Sequence, residues 1–199
     1  MNRALSILTC VVLVVLIAVL QRFVVSDEDM TGPITTKGDA GTTVDADDFT
    51  VRVTETELVS SLEVPDEAGA VQANGVWVVV WADVTAAHEP IGNLRSELLM
   101  KDGTTYVERG WFSESLDRQV LSPGLTLHGA FVFEVPSERI EEPALVITNA
   151  QGYDSRLGAQ ARVDLGVDHP TPASGPATLV PARLQAGDGA DGKDDHATP

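Results

Sequence analysis

Val76-Trp77-Val78-Val79-Val80-Trp81-Ala82-Asp83-Val84-Thr85-Ala86 is the stretch that decides the fold. Successive side chains of a strand point to opposite faces, so residues two apart share one. One face of this run carries Val76, Val78, Val80, Ala82 and Val84. The other carries Trp77, Val79 and Trp81 and turns polar at Asp83 and Thr85. A period of two in β-branched and aromatic residues predicts a strand. Upstream, Phe49, Val51 and Val53 alternate with Thr50, Arg52 and Thr54. Downstream, Leu94 to Met100 ends at Asp102-Gly103, a hairpin signal, and Tyr106 opens the next extended piece. Pro123-Gly124 introduces Leu125 to Val135, where Leu127, Gly129, Phe131, Phe133 and Val135 share a face. Ala144 to Thr148 and Arg162 to Leu165 add two short strands, and only Ser113 to Gln119 hints at a helical turn. About seven short strands separated by Gly and Pro turns predict an all-β chain, an immunoglobulin-like β-sandwich.

Two of these stretches carry a recognisable pattern. The first is Val76 to Ala86 with the later Leu98-Leu99-Met100-Lys101-Asp102-Gly103-Thr104-Thr105-Tyr106. The second is Leu121-Ser122-Pro123-Gly124 followed by Gly129-Ala130-Phe131-Val132-Phe133-Glu134-Val135-Pro136. Together they resemble a bacterial family of immunoglobulin-like domains of unknown function, found on lipoproteins and membrane-anchored extracytoplasmic proteins. Some of its members are labelled telomeric repeat-binding factor 2-like. The resemblance covers roughly Asp47 to Leu165 and implies an extracytoplasmic β-sandwich with no established catalysis. Ala86-Ala87 stand where the family often has Asn at the exit of the strand. The recurring positions have structural reasons. Asp-Gly suits a turn that needs φ > 0, Pro-Gly fits the centre of a type II turn, and Pro136 has no N–H to continue a ladder.

Ahead of the sandwich, Ala4 to Leu20 is an almost unbroken apolar run, and no acidic residue occurs before Asp27. At 1.5 Å per residue a hydrocarbon core of about 30 Å needs roughly 20 residues. Continuing through Phe23, Val24 and Val25, with Arg22 reaching to the interface, supplies that length. A cleaved signal peptide is the rival reading, but no Ala-x-Ala site follows the run. Cys10 lies inside the apolar run rather than after it, where a lipid-attachment cysteine belongs. The expectation is therefore one transmembrane helix within residues 1–25. Arg3 and Arg22 nearly balance across it, and the preferred topology puts the N-terminus in the cytoplasm and the domain outside the cell membrane. Residues 26–42, polar and rich in Gly, Thr and Asp, read as a flexible spacer. Residues 43–168 form the expected sandwich, and 169–199, rich in Pro, Gly, Ala and Asp, read as a disordered acidic tail.

Composition narrows the chemistry. Without Arg3 and Arg22 the chain keeps eleven basic residues against thirty acidic, a formal charge of −19. That balance disfavours nucleic acid as a partner. His88, His128, His169 and His196 form no pair at zinc spacing. Asp45, Asp47 and Asp48 lack the turn glycine and distal Glu of a calcium loop and read as a solvated strand entry. Ser113 and Ser115 lack a nucleophile-elbow setting, and Glu141-Glu142 reads as surface charge. No metal, cofactor or catalytic group is expected, and the chain does not read as an enzyme. Trp111 and Phe112, in the irregular segment between Tyr106 and Leu121, are the candidate partner-binding residues if exposed. A loop folded over an open end of the sandwich would bury at least one ring instead. The expected function is a non-enzymatic binding module of the cell envelope, held to the membrane by its N-terminal helix and docking an envelope or secreted protein. The alternatives are an accessory subunit of a membrane transport or secretion complex, and a structural envelope protein without a specific partner.

Overall fold

The computed structural model describes residues 11–19, 32–65, 67–108, 112–150, 158–167 and 172–185. Residues 33–199 form one compact unit and residues 1–32 another. In the second unit, residues 11–19 are helical. No helix among the described residues is long and apolar enough to cross a membrane. The rest of the expected span within residues 1–25 lies outside the described residues.

The larger unit is a β-sandwich. Its strands are β1 (Ile34–Asp39), β2 (Thr43–Asp45), β3 (Phe49–Glu63), β4 (Val71–Ala86), β5 (Leu94–Leu99), β6 (Thr105–Val107), β7 (Thr126–Val135), β8 (Ala144–Asn149), β9 (Ala159–Asp164), β10 (Ala173–Thr178) and β11 (Arg183–Leu184). One sheet runs β1-β9-β8-β5-β6. The other runs β10-β3-β4-β7-β11, with β2 paired to β3. The main core lies between them. Val51, Val53, Val78, Val80, Ala82, Val84, Phe131 and Phe133 from one sheet meet Leu94, Leu98, Leu145, Ile147, Ala161 and Val163 from the other. The alternation read in residues 76–86 is the one observed, with Val76 to Val84 on the main-core face.

The turns follow their residues. Leu125 N–H donates to Ser122 O at 3.2 Å around Pro123-Gly124, and Gly124 has φ +72°, the type II arrangement. Between β5 and β6, Met100 N–H donates to Thr104 O and Gly103 N–H to Met100 O, with Gly103 at φ +85°. This is a type I turn closed by a glycine bulge.

Three expectations need correction. The strands number eleven among the described residues rather than about seven, because several are short pieces with little apolar signal. The spacer assigned to residues 26–42 contains β1, which pairs in parallel with β9 from Ile34↔Ala159 to Asp39↔Asp164. As an edge strand exposed along most of its length, β1 is held by backbone hydrogen bonds, which leave no trace in hydropathy. The tail assigned to residues 169–199 contains β10, parallel to β3, and β11, antiparallel to β7. β10 forms where a waiting apolar surface lowers the cost of ordering a polar chain.

That surface is the other face of β4. Trp77, Val79 and Trp81 are buried with Val59, Leu62, Ala130, Val132, Phe112, Ala177 and Leu179 in a second apolar core outside the sandwich proper. The strand is therefore enclosed on both sides, and Val76 through Ala82 are buried without interruption. A bulge between Val53 and Glu55 makes β3 serve both cores. It shifts the pleat by one residue, so Val53 and Leu58 face the main core while Val59 faces the second.

Candidate functional site

The irregular chain between β6 and β7 runs past the end of the first sheet. Phe112 from this segment is 5% exposed and sets its ring edge-on to Trp77, centroids 5.6 Å apart at 72°. Its place is the second core, not the open end of the sandwich, because the outward tryptophans of β4 offer a larger apolar surface. Trp111 lies outside the described residues. The helical hint in residues 113–119 appears as a single 3-10 turn, Leu116–Arg118, with Leu116 fully buried in the main core.

Beside the second core, a polar row on the same sheet is internally satisfied. Trp81 Nε1–H donates to Glu57 Oε1 at 2.6 Å, and the Trp81 indole stacks on the His128 ring at 5.9 Å and 9°. His128 Nδ1 lies 2.7 Å from Asp83 Oδ1, and the Thr85 and Thr126 hydroxyls are 2.8 Å apart. Each of these side chains has a partner, and the row braces β4 against β3 through Trp81–Glu57 and against β7 through the other two pairs. Lys101 pairs with Glu141 and Glu142 on the exposed surface, as surface charge, where such pairs contribute little. Asp45 and Asp48 are committed to hydrogen bonds: Asp47 N–H donates to Asp45 Oδ1 at 2.9 Å, and Asn149 Nδ2, from β8, donates to Asp48 Oδ2 at 2.8 Å. Among the described residues no group of three His, Cys, Asp or Glu side chains is placed to hold a metal. His169 and His196 fall outside the described residues.

One cluster is not satisfied. Where β5, β6 and the 3-10 turn meet, a cleft of about 390 Å³ is lined by Asn93, Ser96, Val107, Glu108, Asp117 and Ala150, among others. β5 places Ser96 toward the interior, between the core residues Leu94 and Leu98, and Ser96 is 3% exposed. Glu108 follows β6 directly and is tied back by its N–H to Ser96 O at 3.4 Å. Both oxygens of the Glu108 carboxyl, Oδ1 of Asp117 and Oγ of Ser96 are enclosed without a hydrogen-bond partner. Burial, reinforced by contact with the Asp117 carboxyl and its charge, pushes Glu108 up to about 8. Ser115 and Arg118 pull the other way. Nothing in the sequence announces this pair. Glu108 and Asp117 are nine positions apart on an aperiodic segment and look like ordinary surface acids.

These features define a two-sheet β-sandwich with an added outer core and one unsatisfied acidic cleft. No family model matches the chain, and no curated protein matches it. Solved structures that are similar to it, each at 15% identity, include three bacterial proteins. One is an uncharacterized beta-sandwich protein of Clostridium difficile 630, with TM-score 0.42, covering 66% of this chain and 95% of that one. Another is the yjhA protein of Bacillus subtilis, with TM-score 0.46 and coverage of 64% and 99%. The third is the secreted protein MPT63 of Mycobacterium tuberculosis, with TM-score 0.41 and coverage of 66% and 97%. At this identity the likeness concerns the fold alone.

Proposed function

We propose that this chain is a membrane-anchored, extracytoplasmic binding module of the cell envelope, without enzymatic activity. The observation that carries the reading is the helix at residues 11–19. Its Val, Leu and Ile side chains are each more than half exposed, on every side of the helix. A helix that is apolar all round belongs in an apolar surrounding, and lipid is the one the sequence suggests. The described turns cover about half of a hydrocarbon core, and the apolar sequence from Ala4 to Val25 has the length for the rest. Strand order supports the immunoglobulin-like assignment. β3-β4-β7 follow the A-B-E order of such a sandwich and β5-β8-β9 follow C-F-G.

The module would dock an envelope or secreted protein, and Trp111 is the residue left to anchor it, since Phe112 is already packed against Trp77. The accessory-subunit alternative would use the helix itself as the contact. Helices that associate in membranes bring small residues together, and this one has only Ala4, Ser6 and Ala18 among Val and Leu. That pattern supports a passive anchor.

Fractionation tests the reading. The full chain should stay with membranes through a carbonate wash, and protease added to intact cells should remove the sandwich. A soluble form starting near Asp27 would identify a cleaved signal instead, and a protected sandwich would reverse the topology. Trp111→Ala should abolish capture of the partner from solubilised membranes while leaving the melting temperature unchanged. Normal capture by the variant would remove Trp111 from the site.

A further inference from the structure

We propose that the cleft between β5, β6 and the 3-10 turn is a divalent-cation site of calcium type, with Glu108 and Asp117 as its charged ligands and Ser96 as a neutral one. Two observations meet there. The first is the facing pair of carboxyls, whose Glu108 Oε1, Glu108 Oε2 and Asp117 Oδ1 are enclosed and, once both groups are ionised, have no donor. The second is independent of them: Ser96, 3% exposed, lines the same cleft from the opposite strand with an unpartnered hydroxyl. Buried polar atoms are nearly always paired, so with both carboxyls ionised the four oxygens on this cleft suit a partner that accepts lone pairs.

The donor set selects the class of ion. All four atoms are oxygens, which suits a hard cation and disfavours zinc or copper, since no His or Cys lines the cleft among the described residues. Asn93 also lines the cleft, its amide nitrogen donating to Ala150 O at 2.5 Å. Calcium accepts irregular sets of six to eight oxygens, including waters, whereas magnesium demands a near-ideal octahedron. The cleft has room for the waters such a set needs. Among the described residues, Arg95 lines the cleft but is paired with Glu97 at 2.9 Å, and the charge of Arg118 is the last of the influences on Glu108. With two charged ligands, affinity should fall in the range of about 10⁻⁴ to 10⁻³ M seen in extracellular calcium modules.

Melting of the full chain in detergent, in EDTA and against calcium up to about 10 mM, tests the site at constant ionic strength. Calcium should raise the midpoint by about 4 °C or more, and equimolar magnesium should do much less. Glu108→Gln and Asp117→Asn should each abolish the rise, while Glu141→Gln, on the exposed surface, should keep it. If one cleft variant fails to fold, the other still decides. No calcium shift in the wild-type chain would overturn the proposal and leave a proton shared between two carboxyls. A shift that survives either cleft substitution would also overturn it, as calcium bound to the acidic surface.

Discussion

Two residues show how single positions set local energetics. Gly124 stands at φ +72° with open space around its missing Cβ. A side chain there meets no steric wall, only the cost of a left-handed backbone. Gly124→Val should therefore destabilise the chain by about 1 kcal/mol or more, read as a lower melting temperature without change of fold. An unchanged midpoint would mean that the turn relaxes at no cost. Glu108 gives a pH dependence whose sign follows from its environment. Its folded carboxyl lies at about 8 against an ordinary 4.5. Below pH 4.5 both folded and unfolded chains hold the proton, and the contribution to stability is complete. Between 4.5 and 8 the unfolded chain ionises while the folded one resists, so stability falls as pH rises and levels off above 8. In EDTA, Glu108→Gln should remove this slope, so the difference in melting temperature between wild type and variant should change steadily across that window. A constant difference would contradict a buried neutral Glu108.

At the scale of elements, the second core joins β3, β4 and β7 to Phe112 and to the segment around β10. Leu179, fully buried, and Ala177 reach the Trp77 face from the segment around β10. Leu179→Ala should cost about 2–5 kcal/mol, the range for emptying a buried leucine site. A residue in a disordered tail would cost nothing, so this measurement decides whether residues 172–185 belong to the fold. Phe112→Ala should cost about 3–5 kcal/mol by the same reasoning, since its ring packs edge-on against Trp77. Neither element was legible in advance. Ala173–Thr178 contains a proline and a glycine, and its composition alone resembles that of unstructured chain. What orders it is the apolar face of β4, more than ninety residues earlier. The bulge at Val53/Glu55, which hands Val59 to that face, has no signature in the alternation either.

For the whole molecule, the apolar N-terminal run and the acidic sandwich belong to separate parts of the chain. Removing residues 1–26 should release a soluble protein whose melting temperature matches that of the full chain, since β1 begins at Ile34. A large fall in the midpoint would show that the N-terminal unit contributes to the sandwich. The sequence by itself determined the β class, the inward faces of β4 and β7, and the turns at Gly103 and Gly124. Each of these is a local matter of side-chain period or backbone conformation. The parallel edge strand β1, the second core under β10 and the orphaned oxygens around Glu108 were decided only by tertiary structure. In each case the partner is distant in the chain, and hydrogen bonds, apolar contacts and desolvation act through space, where sequence spacing carries no record of them.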